Sequence, residues 1–339
     1  MLFRSGIPRK LLTGDTLFIG DVGRPDLVGA KGLSPEQMAA LLYDSLHTKI
    51  LPLPDDVEVY PAHGAGSSCG RNISTKTWST LGEQRRTNYA LQSMSRDEFV
   101  ARVASELPPP PAYFAHDAEE NRLGPRRLAE LPPPLALSPK EVQSQLRAGA
   151  VALDVRGAAG FGTAHLPGAL NIGLSGQFAS WAVALIPVDR QIVVVADDRA
   201  GAEEAVLRLA RVGMEHVAGY LDGGIAAWDA AGLPLSSLPQ MPVEELRAQI
   251  EEGAPLAILD VRRPGEYTGG HVPGALSTPL DRLAPALDPS RRVAVLCQSG
   301  YRSSAACSLL AARGFVALYN VTGGTAAWIA AGYPVERGS

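Results

Sequence analysis

The stretch RRVAVLCQSGYRSSAACSLL, residues 291–310, ends an apolar β-branched run on Cys297 and passes at once into a helix-like segment. A thiol at such a junction faces the backbone N–H groups of a turn entering a helix. That nest favours an anion, hence the thiolate, the nucleophilic form of cysteine. Gly300 permits the turn that the cradle needs, while Gln298, Ser299 and Tyr301 fill out the loop. Arg302 can brace the loop or meet an anionic reactant in bidentate fashion. The competing reading is a buried, inert cysteine, because cysteine packs as a small hydrophobe.

The other thiols and the histidines carry weaker signals. Cys307 stands ten residues further on in an Ala-rich helix and reads as packing. Cys69 follows the loop HGAGSSCGRN and is either a second reactive thiol or a small loop residue. Three cysteines at irregular spacing make no disulfide framework and no CxxC zinc site. The six histidines (His47, His63, His116, His165, His216, His271) include no two at a ligand-pair spacing.

The elements around Cys297 occur twice. ALDVRGAAGFGTAHLPGALNI (152–172) returns as ILDVRRPGEYTGGHVPGALST (258–278), and YLDGGIAAWDAAGLPL (220–235) returns as NVTGGTAAWIAAGYPV (320–335). Short apolar strands such as QIVVVA and RVAVLC alternate with helix-like segments such as GAEEAVLRLARVG, the pattern of a parallel sheet covered by helices. Aligning VVVADDRAG with AVLCQSGYR puts Ala196 opposite Cys297 and sets Asp197 and Asp198 where the cradle should follow. The first repeat therefore has no nucleophile, and its carboxylates would repel an anion. It reads as a spacer or a docking surface.

Prolines set the boundaries: ELPPPPAYF near 106–114 and ELPPPLALSPKE near 130–141 enclose a stiff, extended linker. The organisation read from the sequence is 1–115, a Pro-rich linker 116–137, a first repeat 138–236 and a second 237–339. At 339 residues and 46% hydrophobic, the chain has room for two or three cores. Its net charge of −4 comes from scattered acids and bases, so neither nucleic acid nor an anionic membrane is an expected partner. No apolar run approaches the roughly 20 residues that span a bilayer, and MLFRSGIPRK lacks a signal-peptide core. Cytoplasmic placement is expected; a homo-oligomer stays open.

The repeats resemble the rhodanese family of sulfurtransferases over roughly 138–336. The resemblance is carried by the DVR strand ends (Asp154–Arg156, Asp260–Arg262), the H-[LV]-P-G-A turns (His165, His271) and the closing GGxAAW segments (Trp228, Trp328). It implies that Cys297 closes the central strand, that residues 298–302 form the active-site loop, and that sulfane sulfur moves through a cysteine persulfide. The donor would be thiosulfate or a low-molecular-weight persulfide, the acceptor a thiol or cyanide, and no cofactor would be needed. Relatives that handle phosphate or arsenate have C-x5-R, whereas Cys297-x4-Arg302 makes a smaller loop suited to one terminal sulfur. Arg262 and Glu266, four apart, are expected to brace their turn as an ion pair.

LLTGDTLFIGDVGRPDL (11–27) and VEVYPAHGAGSSCG (57–70) resemble the C-terminal part of a metallo-β-lactamase-fold domain, in the branch of persulfide dioxygenases and glyoxalase II-like hydrolases. The resemblance implies that Asp15 is a metal ligand, that His63 lies beside the metal or holds a second one, and that Cys69, if it is a reactive thiol, lies near that centre. The branch's H-x-H-x-D-H motif and middle histidine precede T-G-D, where this chain has only about ten residues. The fold expected is thus α/β: two tandem rhodanese-like domains after an incomplete αββα metallo-β-lactamase-type domain, with an open sheet edge and the lowest stability in the chain. Non-haem Fe(II) or zinc would bind only if the missing ligands were supplied. Arg24, Asp26 and His63 either frame the substrate side of that domain or shape the GRPD turn. The function expected is sulfur transfer through Cys297 in persulfide or sulfide detoxification. The alternatives are a persulfide dioxygenase or metal-dependent thioester hydrolase, and a non-catalytic interaction protein.

Overall fold

The computed structural model describes residues 9–27, 32–65, 67, 69–71, 73–105, 107, 114, 121–124, 127 and 130–338. The chain divides into two compact units, Met1–Gly124 and Pro125–Ser339. Residues 116–120, 125, 126, 128 and 129 of the expected linker at 116–137, His116 among them, lie outside the described residues.

In the first unit, β1 (Lys10–Gly14) runs parallel to β4 (Glu58–Pro61), which is antiparallel to β5 (Ser79–Thr80); β2 (Leu17–Phe18) and β3 (Asp21–Val22) form a small antiparallel pair. The helices are α1 (Pro35–Ser45), α2 (Leu81–Thr87) and α3 (Arg96–Ala104). Ser34 and Ser95 begin α1 and α3 with reciprocal capping boxes to Gln37 and Glu98, which satisfy first-turn N–H groups that have no partner inside the helix. One face of each helix meets a core of Leu11, Leu17, Val59, Leu81 and Phe99. Among the described residues β1 is an edge strand, and Leu12 on it is half exposed.

The second unit holds two five-stranded sheets of the same design. The first takes its strands in the order β6-β10-β9-β7-β8: β6 (Ala136–Leu137), β7 (Val151–Asp154), β8 (Leu170–Asn171), β9 (Ile192–Val195) and β10 (Val217–Leu221). Its helices are α4 (Pro139–Arg147), α5 (Ala158–Thr163), α6 (Phe178–Leu185), α7 (Arg199–Ala210) and α8 (Gly224–Ala230). The second repeats the order as β11-β15-β14-β12-β13, with β11 (Gln240–Met241), β12 (Leu256–Asp260), β13 (Leu276–Ser277), β14 (Arg292–Leu296) and β15 (Ala317–Val321). Here α9 (Val243–Glu251), α10 (Pro264–Gly269), α11 (Tyr301–Ala312) and α12 (Gly324–Ala330) complete the pattern. All the strand pairs in both sheets are parallel.

That arrangement explains the strand sequences. IVVV in β9 and RVAVL in β14 lie in the middle of their sheets with helices on the faces, so they read as unbroken apolar runs rather than alternating ones. The carboxyl ends of central strands are where open α/β sheets place ligands, and the chain leaves β14 there on Cys297. Each closing tryptophan is buried, and its indole N–H donates to a carbonyl six residues on, Trp228 to Pro234 at 2.9 Å and Trp328 to Pro334 at 2.7 Å.

Candidate functional site

Cys297 is 1% exposed and follows the central strand directly. The Gly300 N–H donates toward its Sγ at 3.2 Å. Gly300 adopts φ +97°, a left-handed conformation that glycine reaches without strain, and from it α11 begins at Tyr301. Ser303 Oγ lies 3.5 Å from the sulfur and also donates to Asn320 Oδ1 at 2.6 Å. Gln298 and Ser299 are exposed at the mouth of the loop. The sulfur thus sits at the bottom of a short cradle closed by backbone, a hydroxyl and a helix N-terminus.

Two supports fix the cradle from behind. The Cys297 carbonyl accepts from Thr325 N–H at 2.8 Å and the Gln298 carbonyl from Ala326 N–H at 3.0 Å. A Cβ at Gly324 would overlap the Cys297 carbonyl oxygen and stand 2.8 Å from Ser299 N, so the second glycine of the GG pair in the closing motif is there to let two backbones touch. The sequence reading used that pair as a family mark and missed its role.

Arg302 is the second support. Its two terminal nitrogens meet both carboxylate oxygens of Glu266 at 2.7 Å. The hydrogen bonds from Arg302, partly opposed by burial, hold the Glu266 carboxyl below the usual carboxylate range, and Glu266 in turn keeps the arginine charged. Arg302 therefore braces the loop. The expected pair between Arg262 and Glu266 does not form: Arg262 forks onto Asp260, Nη2 to Oδ2 at 2.6 Å, and donates to the Gly270 carbonyl at 2.8 Å. Glu266 sits in the first turn of α10, accepts from Arg263 N–H and turns toward the α11 N-terminus instead. Arg156 and Asp154 make the same buried fork in the first repeat. The Gln298 Oε1 comes within 3.5 Å of Arg262 Nη1, which leans the loop on that fork.

Ala196 occupies the place of Cys297 in the first repeat. Asp198 there accepts from Gly201 N–H at 2.8 Å and serves as the N-cap of α7. His165 and His271 stack on Phe161 and Tyr267 with centroids 3.7 Å apart, and each Nδ1 faces the carbonyl four residues before it. Burial lowers the His165 pKa. These histidines are packing elements. Cys307 is fully buried, which pushes its thiol pKa up, with the nearby Cys297 adding to the shift.

In the first unit, His63 Nε2 lies 3.3 Å from Asp15 Oδ1, and Cys69 joins them so that one donor atom from each falls within 4.8 Å of the others. Burial raises the Cys69 thiol pKa, and the Asp15 charge adds to the shift. The three donors are one carboxylate, one imidazole and one thiol, two of the three residues exposed. Non-haem Fe(II) sites are built from two imidazoles and a carboxylate. Among the described residues this cluster offers one imidazole, so the donor set does not fit the iron that the resemblance implies. Arg24 and Asp26 are tied to each other in a buried pair, 2.6 Å from Nη2 to Oδ2, and shape the GRPD turn.

Comparison with known proteins agrees with this geometry. The rhodanese-like domain family matches residues 138–231 and 242–331, more than half of the chain, and the chain belongs to that family of sulfurtransferases. A protein of Allochromatium vinosum described as a sulfurtransferase is 32% identical over 96 residues, 27% of this chain and 89% of that protein. The Bacillus subtilis protein YrkF is also 32% identical over 96 residues, but there the match spans about half of the relative, 52%. A solved chain from Staphylococcus aureus described as a metallo-beta-lactamase is 28% identical, with a TM-score of 0.51, covering 63% of this chain and 58% of that one. The fold is accordingly two rhodanese domains with a metallo-β-lactamase-type unit before them. No helix among the described residues is long and apolar enough to cross a membrane.

Proposed function

We propose that this chain transfers sulfane sulfur through a persulfide on Cys297, in the handling of persulfide or sulfide. The observation that carries the reading is the sulfur of Cys297 at the end of the central strand with the Gly300 N–H 3.2 Å away. The thiolate attacks the outer sulfur of thiosulfate; a new S–S bond forms, the donor's S–S bond breaks and sulfite leaves with its electron pair. Attack by cyanide on the terminal sulfur then releases thiocyanate and returns the thiolate. With a low-molecular-weight persulfide as donor the leaving group is the thiolate RS⁻, and a thiol can replace cyanide as acceptor. Neither half-reaction needs an outside oxidant or reductant. The Gly300 N–H and the N-terminal end of α11 offset negative charge on the sulfur in every state, and the Arg302–Glu266 clamp keeps the loop shaped around it.

Cys297→Ser tests this, since a hydroxyl forms no persulfide. Thiosulfate-to-cyanide transfer should disappear, whereas Cys69→Ser and Cys307→Ser keep most of the rate. Mass spectrometry after incubation with a sulfane donor should find one added sulfur on the Cys297 peptide. Full activity in Cys297→Ser, or the sulfur on Cys69, sinks the assignment. An unreactive Cys297 in the native chain would favour the interaction-protein reading.

A further inference from the structure

The helix that leaves the Cys297 loop is enclosed by two repeats. In YRSSAACSLLAA, α11 has one charge in twelve positions, and Ser303 to Ser308 together with Leu310 are buried. A helix of small and apolar residues all round has neighbours on more than one side. Its own β14 and β15 take one side, and β8 of the first repeat takes another.

The contact with β8 is polar and specific. Asn171 is 2% exposed at the end of that strand. Its Nδ2 donates to the carbonyls of Asp154 at 3.0 Å and Arg156 at 2.9 Å, and its Oδ1 accepts from Ser304 Oγ at 2.6 Å. The Asn171 N–H donates to Ser308 Oγ at 3.1 Å, and two residues on the Gly173 carbonyl accepts from Tyr301 Oη at 2.9 Å. Tyr301, Ser304 and Ser308 fall at i, i+3 and i+7, one stripe of the helix. Tyr301 follows Gly300, whose N–H meets the sulfur, and Ser304 follows Ser303, whose hydroxyl touches it. The residue in register with Asn171 in the second repeat is Ser277, which is exposed, so the shared fold does not call for an amide here.

We propose that Asn171, a residue of the repeat that has no cysteine, is a positioning residue for Cys297: it holds the first turns of α11 and so aims the Gly300 N–H at the sulfur and keeps Ser303 beside it. The inference rests on the sulfur-transfer reading of Cys297 and makes the first repeat half of the site rather than a spacer. Its Nδ2 anchors it to the strand-end turn of its own repeat, and its Oδ1 passes that anchorage across. Small displacements of a group that meets a reacting atom are costly to rate, which is why the neutral Ser304–Asn171 hydrogen bond matters to chemistry.

The test uses the full chain. Ser304→Ala removes the Ser304–Asn171 bond, one of the three hydrogen bonds described between the repeats, and leaves both Nδ2 bonds of Asn171 in place. It should lower kcat for thiosulfate-to-cyanide transfer about tenfold with KM for thiosulfate nearly unchanged. The pH midpoint for alkylation of Cys297 by iodoacetamide should rise by about half a unit or more, because the thiolate loses an aligned donor. Asn171→Ala, which also loses both Nδ2 bonds, should act in the same direction and at least as strongly, and adding Ser304→Ala to it should change neither readout further, since the bond they share is already gone. Arg199→Ala, on the exposed face of the first repeat, should match wild type in both. Wild-type kcat and midpoint in Ser304→Ala overturn the proposal. So does a fall in kcat with an unmoved midpoint, the mark of general loosening. Should Asn171→Ala fail to fold, Ser304→Ala alone decides. If the wild-type chain transfers no sulfur, the function reading fails separately, and the alkylation midpoints still decide whether Asn171 positions the thiol.

Discussion

The guanidinium of Arg302 holds the Glu266 carboxylate at both ends, Nη1 to Oε2 and Nη2 to Oε1, each at 2.7 Å and across 36 residues of sequence. Arg302 lies in the first turn of the helix after the Cys297 loop and Glu266 in the first turn of α10, so the pair fixes the loop against a second element. Arg302→Ala and Glu266→Ala are each expected to slow sulfur transfer about tenfold, with the double variant no slower than the worse single one. Arg302→Lys should fail to restore the rate, because an ammonium cannot make the fork. Steady-state rates check this; a wild-type rate in Glu266→Ala would remove the clamp from the account.

The same carboxyl gives the clamp a pH limit. Its folded pKa lies below its unfolded value, first through the hydrogen bonds from Arg302. Such a group stabilises the fold fully above the unfolded pKa, about 4.3, and the contribution is lost as pH falls through the folded one. The difference in urea midpoint between wild type and Glu266→Gln should therefore be constant near neutrality and shrink below about pH 4. A difference that grows on acidification would show that the sign is reversed.

The three thiols should separate by reactivity in the folded chain. Burial raises the pKa of Cys307 strongly and that of Cys69 by less, and neither shift favours a thiolate at neutral pH. Timed alkylation followed by peptide mapping should modify Cys297 first, Cys69 slowly and Cys307 only after unfolding. Early labelling of Cys307 would contradict its enclosure in α11.

Gly324→Ala should be among the most damaging single-methyl changes in the chain. The added Cβ meets the backbone of Cys297, Gln298 and Ser299, and the residue holds φ +54°, so the loop has to move. A loss of transfer activity of about a hundredfold is expected, with a lowered unfolding temperature. Gly232→Ala, which also has positive φ but no atom near the added methyl, should cost stability alone. Equal activity losses in the two variants would refute the steric argument.

The first unit is expected to hold no stoichiometric iron. Asp15, His63 and Cys69 offer one imidazole where the ion takes two. Elemental analysis after anaerobic loading with Fe(II) and gel filtration should find well under one iron per chain, and persulfide-dependent oxygen uptake should be absent. One iron per chain with uptake would mean that this donor set suffices.

What the sequence revealed was whatever depends on local order and on repetition. A β-branched run ending in cysteine, Gly300 three residues on and a small-residue helix after it are all decided within a dozen positions, and the second copy of the DVR, HxPGA and GGxAAW segments identifies the fold. Contacts made by topology were not legible. Glu266 was read as the partner of Arg262 on i,i+4 spacing, yet Asp260 at the strand end takes that arginine and leaves the glutamate for Arg302. Asn171 belonged to no motif that stood out, because its partner stands 133 positions away in the other repeat. Of the two readings of Cys69, the one that sets it near the metal position is the one the fold bears out, since the packing of separate loops brings it to Asp15 and His63.

The join between the repeats has a direction. The helix α11 of the second repeat covers the β8 edge of the first, whereas the matching edge of the second, β13, leaves Leu276 half exposed and Ser277 open to solvent. One surface gives and a different surface receives, so the pair is heterologous and does not close on itself as an isologous dimer does. Duplication has here produced two copies with unequal environments. The copy whose helix is enclosed carries Cys297, and the copy that encloses it has Ala196 at the matching place.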